Sequence, residues 1–339
     1  MNLAELNTIA NKMVARGKGL LAADESTGTI QKRFDKIGVA NTEENRRDYR
    51  ELLFRAMDAM NKHIGGVILF DETIRQKAKD GTPLVKLIEE SGAIPGIKVD
   101  KGTKPLALEP DQTVTEGLDG LRERFQEYHK LGARFAKWRA TYDPTKPSWN
   151  AINANAQALA RYAALAQENG IVPIVEPEVL MDYDNDIDAC ERITEWVLKE
   201  TFNELYYAKV ALEGMILKPN MVISGKKCAK QAGVEEVAMR TVKVLKRCVP
   251  SAVPGIAFLS GGQSDEEATA HLNAMHVYDS HLPWALTFSY GRALQAAPQK
   301  AWSGKAENVK AAQAAFEHRA NMNGLAAMGK WKKELEKAS

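Results

Sequence analysis

Cysteine is scarce in this chain. There are three, Cys190, Cys228 and Cys248, an odd number too small for a disulfide framework and in keeping with a reducing compartment. No apolar run approaches the roughly 18 residues that a membrane span requires. The first segment, Met1 to Arg16, scatters Glu5, Asn7, Asn11 and Lys12 among its apolar residues, so it reads as an amphipathic helix and not as a signal peptide with an unbroken apolar centre. An excess of one charge is also missing. The 46 Lys and Arg against 44 Asp and Glu leave a formal net charge of +2, without the clustered basic footprint of a nucleic-acid binder. A local group of cations for a small anion remains possible. No Walker-type loop is present, and Gly17-Lys18-Gly19 precedes the first apolar run instead of following it, which tells against an open doubly wound nucleotide-binding sheet. The six histidines, His63, His129, His271, His276, His281 and His318, fall on helical or loop stretches. His271 and His276 are five apart, not the i, i+4 spacing of two ligands on one helix face, so both are expected at the surface or an interface. These absences predict a cytoplasmic protein acting on small molecules, with no metal or other cofactor, no nucleic acid and no membrane.

What the chain does have is length and repetition. Its 339 residues are 45% hydrophobic, enough for a large core. Short apolar runs recur at Gly19–Ala23, Gly66–Phe70, Pro95–Val99, Ala133–Trp138, Ile171–Val175, Gly214–Leu217, Gly255–Leu259 and Ala285–Phe288. Stretches of helical period separate them: Glu43 to Ile64, Asn150 to Asn169 stopped by Gly170, Asp186 to Leu212 stopped by Gly214, and Ser264 to His276. The last opens with a capping-box pattern, Ser264 followed by Glu267. Strands alternating with helices predict βαβ units and a parallel sheet. Eight of them predict closure into an α/β (β/α)8 TIM barrel, whose core typically takes about 250 residues. The surplus goes to an N-terminal helix, a C-terminal helix and a short tail. With no low-complexity linker, residues 1–339 read as a single domain, of which 331–339 are the tail.

Polar residues follow every run. The strand ends read Asp24-Glu25-Ser26, Asp71-Glu72, Lys98 with Asp100-Lys101, Lys137 and Arg139, Glu176 and Glu178, Lys218, Ser260-Gly261-Gly262, and Ser289-Tyr290-Gly291-Arg292. In a parallel barrel all these ends open on one face, where such barrels build their sites. Any one of them alone is a solvated strand end, but several lysines and carboxylates together describe a ring. A lysine in a crowded, partly dry cationic site is a carbonyl nucleophile. Lys218 emerges straight from an apolar strand and fits that description, though a structural ion pair with Glu176 or Glu178 is the competing reading. Lys137 in Lys137-Trp138-Arg139 serves equally well as a phosphate clamp. Glu176-Pro177-Glu178 puts two carboxylates on one side of an extended chain, suited to acid–base work or to a solvated acidic turn. Ser260-Gly261-Gly262-Gln263 leads into the capped helix, and Ser289-Tyr290-Gly291-Arg292 adds a hydroxyl, a permissive backbone and a guanidinium. Loops after the seventh and eighth strands are the recurrent phosphate site of this barrel.

Seven segments then carry a resemblance. They are Leu21–Gly28, Gly65–Phe70, Phe135–Arg139, Val175–Glu178, Leu217–Met221, Leu259–Ser264 and Phe288–Gln295. In this order, within a match running from about Asn11 to Ala327, they resemble class I fructose-bisphosphate aldolase. The resemblance implies a (β/α)8 barrel, a homotetramer, no metal, and cleavage of fructose 1,6-bisphosphate through a lysine Schiff base. It further implies Lys218 as the Schiff-base lysine, Glu176 as the acid/base for carbinolamine dehydration and Glu178 as a support for Lys218. Asp24 would handle the C4 hydroxyl proton with Lys137 nearby. Ser260, Gly261, Gly291 and Arg292, with Gly262 and Ser289 in the same loops, would hold the C1 phosphate. Ser26, Lys98 and Arg33 would lie toward the C6 phosphate, with Thr29 where many members have serine and Arg139 also among the substrate-binding groups.

The tail departs from the pattern. Animal members end in a tyrosine that assists proton exchange, whereas this chain ends Gly329-Lys330-Trp331-Lys332-Lys333-Glu334-Leu335-Glu336-Lys337-Ala338-Ser339. Trp331 and Leu335, four apart, are expected to extend the last helix along the surface. Two other functions compete: the same lysine chemistry on a monophosphate or as a transaldolase, and a barrel retained as a binding scaffold. Cations at both ends of the ring favour a bisphosphate, and retention of the lysine and the acid disfavours the scaffold.

Overall fold

The structure is a computed structural model that describes residues 1–337. In chain order the strands are β1 (Gly19–Ala23), β2 (Ile64–Leu69), β3 (Ile94–Lys98), β4 (Thr103–Leu106), β5 (Glu109–Thr115), β6 (Phe135–Tyr142), β7 (Val172–Val179), β8 (Ile216–Leu217), β9 (Gly255–Phe258) and β10 (Ala285–Tyr290). Eight of them close into a barrel in the order β1-β10-β9-β8-β7-β6-β3-β2, while β4 and β5 form a separate antiparallel pair. Every barrel contact is parallel. The predicted (β/α)8 barrel is therefore the fold, and all eight apolar runs become barrel strands.

The helices are α1 (Leu3–Met13), α2 (Thr27–Asp35), α3 (Glu43–Phe54), α4 (Met57–His63), α5 (Asp71–Arg75), α6 (Leu84–Glu90), α7 (Leu121–Lys130), α8 (Trp149–Glu168), α9 (Ile187–Tyr207), α10 (Val234–Cys248), α11 (Asp265–Tyr278), α12 (Arg292–Trp302) and α13 (Val309–Ala326). The stretch from Glu43 to Ile64, expected as one helix, is two. Ala56 leaves the helical region (φ −75°, ψ 71°) between α3 and α4. The capping box is formed as read: Glu267 N–H donates to Ser264 Oγ at 3.2 Å and Ser264 N–H to Glu267 Oε2 at 2.7 Å.

Two apolar cores result from strand alternation. One lies outside the barrel, between strands and helices. The other fills the lumen with Leu20, Ala22, Ile68, Phe135, Ile174, Ile216 and Ala257, closed below by Leu6, Ala10 and Met13 of α1. Phe135 fits because its neighbours have no side chains; a Cβ on Gly66 would come within 2.8 Å of its ring and one on Gly96 within 2.3 Å. Truncating such a buried ring costs about 3–5 kcal/mol. With α1 plugging one end, the barrel is open only at the C-terminal ends of its strands.

The tail does not extend α13. Gly329 turns the chain at φ +67°, the left-handed conformation that ends helices, and a 3₁₀ turn follows at Lys333–Lys337. Trp331 packs against the core. Its backbone N–H donates to Asn273 Oδ1 at 2.9 Å and its indole to Glu336 Oε1 at 2.9 Å. The other Glu336 oxygen pairs with buried Arg319 and lies 3.3 Å from His318 Nε2. Ala338 and Ser339 lie outside the described residues. Removing one partner of a buried ion pair costs roughly 3–5 kcal/mol. Deleting everything after Lys330 should therefore lower the melting temperature by several degrees, while cleavage stays within a few-fold of the full chain. Calorimetry and a cleavage assay on the same sample check this, and an unchanged melting temperature would show that the strap is not anchored.

Candidate active site

Period-2 alternation carries the lumen pattern on into the chemistry. Two residues beyond Ala22 comes Asp24, beyond Gly96 Lys98, beyond Phe135 Lys137 and then Arg139, beyond Ile174 Glu176 and then Glu178, and beyond Ile216 Lys218. Trp138, between two of these, points outward and stacks on Tyr162 at 5.6 Å. Strand geometry alone thus aims the polar residues into the open mouth. There they line one cavity of ≈ 760 Å³ together with Ser26, Thr29, Arg33, Ser260, Gly261, Gly262, Ser289, Gly291 and Arg292. Every residue singled out in the sequence as catalytic or substrate-binding faces this space.

At the floor, four ions form a chain. Lys137 Nζ is 2.8 Å from Asp24 Oδ2 and 3.3 Å from Glu176 Oε2; Lys218 Nζ is 3.3 Å from Glu176 Oε1. Lys137, Glu176 and Lys218 are only 4%, 3% and 4% exposed, so their polar contacts come from one another and not from bulk water. For Lys137, burial works against the charge, but Asp24 and Glu176 outweigh it and hold the ammonium above the usual lysine range. Burial likewise opposes the Asp24 carboxylate, yet the Lys137 charge, then that of Lys218, brings it down to about 2. Glu178 turns the other way and pairs with Arg139, and Lys98 pairs with Asp100 at 2.9 Å.

The phosphate-like loops stand on the β9 and β10 side. Gly262 takes φ +82°, and a Cβ there would strike Met181 at 2.6 Å. Arg292 carries no carboxylate partner among the described residues. Its Nη2 donates to the carbonyl of Gln263 at 2.6 Å. Ser289 Oγ is buried with no protein partner, a donor left for a ligand. Arg33 pairs with Glu25, and a Cβ on Gly291 would lie 3.4 Å from Arg33 Nη2, so its guanidinium stands beside the Gly291 loop. Barrel closure makes β1 the neighbour of β10 and brings α2 beside that seam.

Some lining residues carried no expectation. Glu25, quoted only as part of a strand end, is buried and links Arg33 to Gln295 Nε2, 2.8 Å away. Lys36 and Lys300, on or beside the helices flanking the β1–β10 seam, add cations, and nothing in their sequence neighbourhood marks them. The lining carries nine Lys and Arg against five Asp and Glu, a surplus matched to a multiply charged anion.

His271 departs from its expected position at the surface or an interface. It is buried, with Nδ1 2.7 Å from Gln263 Oε1, and burial pushes its pKa down from 6.5 to about 4 against a weaker pull from Glu267. The unfolded chain takes up this proton first. The group's contribution to stability is therefore complete above about pH 6.5 and is lost as pH falls toward 4. That shift corresponds to roughly 3 kcal/mol. In His271→Asn the unfolding free energy should fall less steeply across this window. An unchanged slope would mean that another group carries the dependence.

The chain matches the family model for class I fructose-bisphosphate aldolase over residues 5–339. A Xanthomonas campestris pv. campestris protein named "Probable fructose-bisphosphate aldolase class 1" is 58% identical over 98% of this chain and 100% of its own length. Fructose-bisphosphate aldolase C of Carassius auratus is 56% identical over 96% of this chain and 91% of its own. The solved structure of fructose-bisphosphate aldolase from Plasmodium falciparum, in complex with TRAP and a small-molecule inhibitor, superposes with a TM-score of 0.94 at 49% identity, covering 97% of this chain and 96% of that one.

Proposed function

The chain belongs to the class I fructose-bisphosphate aldolase family, and from that premise we propose that Lys218 is its Schiff-base lysine, with Glu176, Lys137 and Asp24 moving the protons. The activity is reversible aldol cleavage of fructose 1,6-bisphosphate to dihydroxyacetone phosphate and glyceraldehyde 3-phosphate through a lysine Schiff base. One observation carries the residue assignment. Of the two buried lysines, Lys137 is held as an ammonium by two carboxylates, whereas Lys218 shares only one oxygen of Glu176.

Lys218 passes a proton to Glu176, 3.3 Å away, and its freed lone pair attacks C2, so that the carbonyl oxygen becomes the hydroxyl of a carbinolamine. Glu176, 3.3 Å from the lysine, protonates that hydroxyl as it leaves as water, giving the iminium. The C3–C4 bond then breaks, its electron pair flowing into the iminium to form an enamine, while the C4 hydroxyl proton passes to Asp24 beside Lys137. Glyceraldehyde 3-phosphate leaves. The proton held by Asp24 is relayed through Glu176 or a bound water to C3, which regenerates the iminium, and addition of water to C2 releases dihydroxyacetone phosphate and frees Lys218. Lys137, charged throughout, stabilises the oxygen anion that develops at C4.

Ser260, Gly261, Gly262, Ser289, Gly291 and Arg292 hold the C1 phosphate. Ser26, Lys98 and Arg33 lie toward the C6 phosphate, with Thr29 of α2 beside Ser26 and Arg139 among the same substrate-binding groups. Glu178 acts by orienting Arg139. A charge-assisted contact contributes about 1.5–3 kcal/mol, so Arg292→Ala should raise KM for the bisphosphate roughly ten- to a hundredfold with a much smaller effect on kcat. A KM within about twofold of the parent would show that Arg292 is not a phosphate ligand. The nucleophile is tested by which lysine dihydroxyacetone phosphate labels on reduction.

Residues 1–339 then act as one catalytic unit, in the cytoplasm and as a homotetramer. Exposed aromatic residues on α8 and α9, namely Trp149, which stacks on the partly buried Trp196, with Tyr206 and Tyr207, support self-association. Sedimentation should give four times the mass of the chain; a monomer would overturn this reading.

A further inference from the structure

The strands that carry the acid and the lysine are barely paired. The register of β7 with β8 consists of Ile174 with Ile216 and Val175 with Leu217, continued by a single backbone bond from Lys218 N–H to the Val175 carbonyl at 2.8 Å. Pro219 follows and has no N–H to offer. Yet β7 runs on through Glu176 and Glu178 to Val179, still paired with β6. Beyond Lys218, backbone pairing therefore ceases on the side that must set Glu176 against the lysine.

A side chain takes over at that point. Asn220 is 2% exposed, and its Oδ1 accepts the Val179 N–H at 2.9 Å. Its Nδ2 donates to Thr194 Oγ1 of α9 at 3.0 Å and to the Met221 carbonyl at 3.1 Å. Both ends of the amide are thus used, which fixes its orientation. Without Asn220, the buried Val179 N–H would lose this acceptor, a costly vacancy in the interior.

We propose that Asn220 is a positioning residue for the reaction. Its amide stands in for the missing ladder between β7 and β8 and so keeps Glu176 Oε1 within reach of Lys218 Nζ. It touches neither substrate nor the reacting atoms. The inference rests on the assignment of Lys218 and Glu176 above.

The consequence is a separation of rate from binding, because the phosphate-holding groups stand on other strands and helices. Asn220→Ala should lower kcat by roughly ten- to a hundredfold, as expected when supporting bonds to a site are lost, with KM for fructose 1,6-bisphosphate within about twofold. The rate at which borohydride traps dihydroxyacetone phosphate on the enzyme should fall with kcat. Thr194→Val removes only the outer contact and leaves the Val179 bond, so its kcat should stay within about twofold of the parent. Should Asn220→Ala not fold, Asn220→Ser, which keeps a hydroxyl but cannot reach both partners, decides on the same readouts. In the parent enzyme the Val179 amide should exchange with solvent as slowly as the barrel ladder. A normal kcat in the folded Asn220 variant, a KM rising in step with the fall in kcat, a Thr194→Val loss equal to that of Asn220→Ala, or a rapidly exchanging Val179 amide would each overturn the proposal. If the parent enzyme is trapped at Lys218 while Asn220→Ala is fully active, the lysine assignment survives and only the positioning role is lost.

Discussion

Lys218→Met should abolish cleavage, with a fall in kcat of roughly 10⁴-fold or more, the scale on which loss of a nucleophile is felt in other covalent enzymes. Methionine nearly fills the volume, so the lumen below it, where Ile216 packs, stays closed and the fold survives. It supplies no nitrogen, so no iminium forms and the C3–C4 bond has no electron sink. Lys137 is buried in the same cavity but cannot substitute. Its nitrogen is committed to Asp24 and Glu176, and those two carboxylates keep it protonated. Binding of the bisphosphate should persist, since the cations that take the phosphates stand elsewhere. Cleavage measured at saturating substrate, with bisphosphate affinity measured on the same preparation, checks both halves. Residual activity above about 1% would require a second amine to be doing the chemistry.

Glu176→Gln should be the next most damaging change, lowering kcat by about 10²–10⁴-fold, the usual contribution of a positioned acid–base group. The glutamine keeps size and hydrogen-bonding reach but cannot deliver or accept the proton that carbinolamine dehydration requires. It also removes the carboxylate that stands between Lys137 and Lys218, so two buried lysines lose the oxygen pair that both contact. The loss should fall on kcat with KM changed by no more than a few-fold, and the trapped adduct should form slowly, still on Lys218. A kcat within fivefold of the parent would move the acid–base role to another group, with Asp24 the first candidate.

The barrel was legible because its eight apolar runs are continuous and bounded by polar strand ends, a pattern that burial on both faces imposes on parallel strands. The site was legible for a related reason. Residues two apart on a strand share a face, so Phe135 in the lumen implies Lys137 and Arg139 above it, and Ile174 implies Glu176 and Glu178. Sequence gave no hold on what depends on distant contacts. The β4–β5 hairpin was missed because Thr103–Leu106 and Glu109–Thr115 are mostly polar, with Pro105 and Pro110 breaking any strand signal. The break at Ala56 has no glycine or proline to mark it. That Arg33 meets the Gly291 loop depends on closure of β1 on β10, which no local pattern shows. His271 was placed at the surface or an interface because helical spacing alone does not show that α11 presents it to Gln263. Asn220 was in view as part of a motif, but its partners, Val179 and Thr194, lie 41 and 26 residues away.

Reduction with borohydride in the presence of dihydroxyacetone phosphate, followed by peptide mapping, tests the central claim most directly. The triose should be recovered as a secondary amine on the peptide containing Met215-Ile216-Leu217-Lys218-Pro219-Asn220, in a yield close to one per chain, and Lys218→Met should take up none. Labelling at Lys137 or Lys98, or labelling that survives in Lys218→Met, would contradict the mechanism described for this site.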